Sequence, residues 1–212
     1  MSDWPHGFFT RSAPHREPQK LADHLQTGHA YHLKQVHSAL VYSAPVDFAV
    51  EGDALWSTHD SVWVCSADCV PILFADPKTG AVAAIHAGWR GTAKSILVKT
   101  VEALQAQGSD PKDLLCAIGP CISGPAYQVS QSVADEVTAT ISSPEQALLP
   151  DDALDKVRLD VREVNRQQAL LSGVEQISVS PICTFSEPNR LYSYRREGGG
   201  KVQYSGIGVR FS

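Results

Sequence analysis

Short apolar runs alternate with glycine- and proline-marked turns through the first half of the chain. Residues 61–64 and 70–75 are β-rich, and Ala67-Asp68-Cys69 separates them. Residues 81–86 form a small-residue apolar run that suits a buried strand, and residues 32–44 alternate in part, which predicts another strand. Asp76-Pro77-Lys78-Thr79-Gly80 has proline at its second position and glycine at its end, the composition of a turn. A helical period follows over residues 92–107, with Ile96, Leu97, Val101 and Leu104 on the inner face and Gly108 placed to end it. Residues 21–26 predict a short helix after a polar, two-proline loop at 12–20.

The second half continues in the same way. Residues 114–118 predict a strand and residues 119–125, with two prolines, a rigid loop. Residues 132–141 predict a helix with Val133, Val137 and Ile141 on one side. Residues 142–155 read as an acidic loop, and residues 160–172 as a helix whose aspartate sits at the positive end of the dipole. Residues 177–179 and 202–211 predict strands, with Gly198-Gly199-Gly200 as a flexible hairpin or loop before the last. Strands and helices mix without strict βαβ alternation, which predicts one domain over residues 1–212 with mixed sheets.

Composition narrows the function classes. The chain has 212 residues, 43% of them hydrophobic and 19% charged, which fits a folded domain and not a disordered one. A net charge of −5 argues against a nucleic-acid partner. No apolar stretch reaches the roughly 18 residues of a bilayer span, so no membrane partner is expected. The first residues lack a basic segment followed by an apolar one, which points to the cytoplasm. Five cysteines without a C-x-x-C pair argue for a reducing compartment and against a disulfide framework or a zinc ribbon.

Four places can carry chemistry. Gln35-Val36-His37-Ser38 places a histidine after a β-like run. In Ala67-Asp68-Cys69-Val70-Pro71, Cys69 suits a thiolate ligand, a nucleophile or a buried thiol, and Asp68 is the nearest acid or base by adjacency. In His86-Ala87-Gly88-Trp89-Arg90-Gly91 a strand ends, a glycine-bounded turn follows and a helix starting at Thr92 is expected, so backbone N–H groups and Arg90 together predict an anion site, phosphate above all. Cys183-Thr184 with Tyr192-Ser193-Tyr194-Arg195-Arg196 reads equally as a base- and anion-binding run or as an edge strand with solvated arginines. If the fold joins His37, Cys69 and His86, the set is two imidazoles and a thiolate, a tetrahedral zinc site with one open position; copper also accepts such ligands.

These motifs, with Asp53-Ala54-Leu55, Ile118-Gly119-Pro120 and Tyr127-Gln128-Val129, recur in this order in one family. The chain resembles the YfiH family, described first as laccase-like multicopper polyphenol oxidases and later as purine nucleoside phosphorylases, from about Gly7 to its end. The resemblance implies a layered α+β fold with mixed sheets and packed helices. It also implies zinc, with copper as the alternative, held by His37, Cys69 and His86. The implied reaction is phosphorolysis of adenosine, inosine or methylthioadenosine, with adenosine deamination as a second activity. Nucleoside and phosphate are then the partners. Copper-dependent oxidation and peptidoglycan editing are also attributed to relatives.

On this reading Cys69, Asp68 and Arg90 are the catalytic candidates, and Arg90, Gln35 and Arg11 the substrate-binding ones. The segment after Thr10-Arg11 is shorter than the family's usual glycine-rich one, which bears on substrate preference through Arg11. The H-x-E and P-C-x-x-C signature of the zinc deaminases is absent, because Pro120-Cys121 is followed by Ile-Ser-Gly. His29 and His32 are the only close histidine pair, a poor supply for several copper centres. A cysteine hydrolase with Cys69 as nucleophile, or a metal-stabilised binding protein without turnover, are the remaining alternatives. Cys65 is expected to be an ordinary core thiol.

Overall fold

Strands β6 (Val70–Ala75) and β7 (Val82–Ala87) are buried at every position, and their side chains alternate between two cores. Leu73, Ala75, Val82 and Ala84 face one core; Ile72, Phe74, Ala83 and Ile85 face the other. That two-sided burial makes their sheet the middle of a layered molecule. A computed structural model describes residue 1 and residues 3–209.

The middle sheet has six strands. Its order is β12 (Gln176–Val179), β8 (Leu115–Ile118), β6, β7, β4 (Ala54–Ser57) and β3 (Val41–Ser43). The outer pairs β12–β8 and β3–β4 are parallel and the inner ones antiparallel. A four-stranded sheet covers one face: β1 (His6–Phe8), β13 (Gln203–Ile207), β5 (Ser61–Ser66) and β2 (Ala30–His32). Helix α1 (Pro18–Leu25) packs Leu21 and Ala22 against Trp63 on its outer side. Helices α3 (Ile96–Ala106), α4 (Gln131–Thr138) and α5 (Val161–Leu171) cover the other face of the middle sheet. A small antiparallel sheet of β9 (Gln128–Ser130), β11 (Lys156–Leu159) and β10 (Leu148–Leu149) flanks them. The architecture is α+β with mixed sheets, as the motifs imply.

Four expectations change. The single helix over 92–107 is two: α2 (Trp89–Ala93), which starts before Thr92, and α3, separated by Ser95 at φ 58°. The apolar period from Ile96 onward belongs to α3 alone. The strand over 32–44 is β2 and β3 joined by a curled connection, because three successive amides there turn toward one buried carboxylate, as described below. The acidic loop contains β10, and β11 follows it directly; two residues are too few to show a period. The strand expected over 202–211 spans Gln203–Ile207, and Arg210 and Phe211 lie outside the described residues.

Candidate metal centre and cavity

The hairpin Ser66-Ala67-Asp68-Cys69 carries the chain from the four-stranded sheet into the middle sheet, where Cys69 meets the C-terminal end of β7. There the structure brings His37, Cys69 and His86 together, with ligand atoms all within 4.8 Å of one another. Cys69 Sγ lies 3.7 Å from His37 Nε2, and the two imidazoles stand edge to face at 4.8 Å. Gly88 makes the approach possible. A Cβ there would lie 2.9 Å from His37 Cδ2 and 3.0 Å from Cys69 Sγ. His86 is buried and His37 exposed, so the cluster has a dry side and a solvent side. Two nitrogens and a sulfur with one side open suit a transition-metal ion such as zinc or copper.

Asp53 organises this cluster and is the residue that sequence reasoning missed. It is 1% exposed, and a buried carboxylate must be partnered. His86 donates from Nδ1 to Asp53 Oδ1 at 2.8 Å, which turns Nε2 toward the centre. The backbone N–H groups of Val36, His37 and Ser38 donate to the same carboxylate at 3.3, 3.0 and 2.6 Å. Ser38 Oγ adds a fifth donor at 2.7 Å. This wrapping holds His37 at φ 58° and bends residues 33–40 out of the extended form. Burial opposes ionisation of Asp53, yet hydrogen bonds from His86 and Ser38 hold it at about 2. The signal available in sequence was an aspartate between Gly52 and two residues of an apolar run.

Cys69 and His86 titrate as a pair. Burial opposes the Cys69 thiolate, but the charge of His86 and hydrogen bonds from both histidines pull it down to about 6. Burial likewise opposes the imidazolium, while the Cys69 thiolate and Asp53 raise His86 to about 9. Without a metal the site is therefore a thiolate–imidazolium pair near neutrality.

The centre opens into a cavity of about 610 Å³, within the size range of small-ligand sites. Trp89 and Tyr127 supply aromatic surface, and Arg90, Arg195 and Lys201 supply charge. Arg90 stacks on Trp89 at 4.2 Å and Arg195 on Tyr127 at 5.1 Å. Ser66 also lines the cavity, but its hydroxyl is buried and has no hydrogen-bond partner among the described residues.

Other site expectations are redirected. Arg90 reaches the cavity, and the helix start beside it is that of the five-residue α2, with Gly88 at its N-cap, rather than at Thr92 as expected. Gln35 lines the cavity while both ends of its amide are bound to the backbone of Cys65, at 2.7 Å each. Arg11 is not a lining residue. It stacks on Tyr192, donates to Leu191 O at 3.0 Å and pairs with Glu197. Cys65 is half-buried in the cavity wall and is not a core thiol; burial, with Cys69 nearby, pushes it up to about 11. The run at 192–196 is no edge strand: it forms the short helix α6 (Tyr194–Glu197) at the cavity rim.

The sequence pattern of the family described as multi-copper polyphenol oxidoreductase laccase matches residues 12–208. The chain belongs to this family. A Synechocystis protein named purine nucleoside phosphorylase slr1573 is 39% identical over 238 residues, covering 98% of this chain and 90% of its own. The crystal structure of YlmD from Geobacillus stearothermophilus superposes with TM-score 0.83 at 31% identity, covering 98% of this chain and 90% of that one. The hypothetical protein YfiH of Bacillus licheniformis gives TM-score 0.84 at 28% identity over 97% and 90%. The family's description and the relative's name point to different reactions, so the site's own chemistry must choose between them.

Proposed function

We propose that this chain is a zinc-dependent purine nucleoside phosphorylase. The observation that carries the reading is one cavity that joins a two-imidazole, one-thiolate cluster to aromatic walls and to cations without carboxylate partners among the described residues. A flat base suits Trp89 and Tyr127, and a dianion suits the arginines. The name of the Synechocystis relative supports the same reaction.

In phosphorolysis a phosphate oxygen bonds to C1′ of the sugar and the C1′–N9 bond breaks. The electron pair leaves with the purine, which takes a proton from solvent. Arg90 holds the phosphate, and the aromatic side chains hold the base edge-on to the metal cluster. The ion, held by His37, Cys69 and His86, would supply Lewis acidity toward a purine atom or toward water. Inosine, adenosine and methylthioadenosine are the proposed substrates. Deamination of adenosine is the lesser activity, because Asp68, the only carboxylate lining the cavity among the described residues, already accepts three hydrogen bonds.

The test is hypoxanthine release from inosine with and without phosphate. Release should require phosphate, and Arg90→Ala should raise the phosphate constant about ten- to a hundredfold while the nucleoside constant stays near its starting value. Equal changes in both constants would mean that Arg90 holds the fold. Turnover indifferent to phosphate in the unmutated protein would retire the reaction.

A second expectation rests on Ser66. Its buried hydroxyl has no hydrogen-bond partner among the described residues. Ser66→Ala should stabilise the protein by about 1 kcal/mol, since it removes an unsatisfied polar atom. Denaturant melts read the change. A destabilised variant would refute the expectation.

One geometric fact favours a different reading. Cys69, His86 and Asp53 are connected as nucleophile, base and orienting acid, the order of a cysteine hydrolase. Such a triad has no use for the second imidazole, His37, whereas a metal does. Metal analysis of the purified protein separates the two, as does trapping of a Cys69 acyl adduct. A copper oxidase needs several centres, and the described residues contain one group of three or more clustered ligands.

A further inference from the structure

Asp68 is buried at 9% exposure beside a metal ligand, yet its carboxylate belongs to a distant part of the chain. Thr184 Oγ1 donates to Oδ1 at 2.6 Å, while Ser193 Oγ and the backbone N–H of Arg195 donate to Oδ2 at 3.0 and 2.7 Å. Asp68 itself sits at φ 91°, a left-handed conformation that is costly for a residue with a side chain. Its carbonyl accepts from Ile122 at 3.0 Å, which pins the hairpin from the other side. All of these bonds point to one result: residues 193–195 are fixed at the cavity rim.

The three arginines around that segment divide sharply. Arg11 is paired with Glu197. Arg196 donates to the carbonyls of Thr184, Phe185 and Leu191 and to Glu197. Arg195 has only the Gln128 carbonyl at 3.1 Å and the Tyr127 ring, with no carboxylate partner among the described residues. Arg90 likewise has only the Trp89 ring. Both arginines line the same cavity. In a chain of net charge −5, two uncompensated arginines facing one cavity mark a place for an anion.

We propose that Arg195 is the second phosphate contact, with Arg90 the first, and that Asp68 is the positioning residue that holds it there rather than an acid or base. The inference deepens the phosphorolysis reading and rests on it for the identity of the anion. Asp68 also leads directly into Cys69, so one hairpin fixes both the metal cluster and the anion clamp relative to each other.

The probe is inorganic phosphate, followed by calorimetry and by turnover of the metal-loaded protein. Arg195→Met should weaken phosphate binding at least about tenfold, with nucleoside KM and metal content near their starting values. Asp68→Asn should weaken phosphate in the same direction. The double variant should be no weaker than Arg195→Met alone, because both changes remove one contact. Ser193→Ala, which removes one donor to Asp68, should give a smaller loss of the same kind, and it serves if Asp68→Asn fails to fold. Unchanged phosphate binding in Arg195→Met overturns the proposal. So does a loss of kcat in Asp68→Asn with phosphate affinity intact, or multiplying effects in the double variant. Phosphate binding that depends on Arg195 beside phosphate-independent turnover upholds the clamp and rejects only the reaction.

Discussion

Replacing Cys69 by serine is expected to empty the centre of metal and to lower turnover about a thousandfold or more. A serine hydroxyl stays protonated where the thiolate forms at about 6, so one of three ligands is lost while the shape is kept. Several kcal/mol of charge stabilisation leave with the ion, which sets the size of the effect. Cys65→Ser is the control, and its metal content should be unchanged. The same pair dictates a pH dependence. Between about pH 6 and about pH 9 the metal-free Cys69–His86 pair holds one proton, on His86. Metal binding must expel it, so the affinity should fall about tenfold for each pH unit lost across that window. Metal analysis after dialysis, with titrations at several pH values, checks both. Full metal content in Cys69→Ser, or a flat pH profile, would show that the thiolate is no ligand.

The parts of the fold that the sequence made legible are those decided by burial. The apolar runs at 70–75 and 81–86 and the period from Ile96 to Leu104 exist because a side chain's exposure repeats with the backbone. The breaks are decided otherwise. Ser95 turns left-handed between α2 and α3 without any change in the polar pattern, and Arg90 belongs to the first of these helices. The curl at 33–40 depends on Asp53, which lies after an intervening strand and acts through hydrogen bonds that no periodicity records.

The site divides in the same way. His37, Cys69 and His86 carry chemistry in their side chains and stand out beside Gly88 and Asp68, even though the spacing alone could not join them. Asp53 and Arg195 were visible within recurring motifs, but their roles depend on what each one is bonded to. Asp68 illustrates the converse. Adjacency to Cys69 suggested proton transfer, whereas its oxygens are filled by Thr184, Ser193 and Arg195, and adjacency along a chain says nothing of where a carboxylate points.

Asp53→Ala is expected to be the most damaging single change outside the ligands themselves. It leaves His86 buried with an unpaired Nδ1–H, and it releases the N–H groups of Val36, His37 and Ser38 together. Breaking one partner out of a buried charged pair costs about 3–5 kcal/mol, and the freed amides act in the same direction. Loss of the orienting carboxylate should also weaken metal binding about ten- to a hundredfold, since His86 is then free to turn and His37 loses its anchored backbone. Asp53→Asn retains an acceptor but places an NH₂ among N–H donors, so it should recover part of the stability and little of the metal affinity. The acid response gives an independent reading. Asp53 is held at about 2 in the folded chain, below its ordinary range near 4. Its contribution is therefore complete above about pH 4 and is lost as pH falls toward 2, so the alanine variant should lose less stability than the parent across that interval. Denaturant unfolding of chelator-treated protein at neutral and acid pH measures it. A loss below about 1 kcal/mol at neutral pH, with metal affinity unchanged, would mean that the imidazole and the curled connection hold their places without the carboxylate.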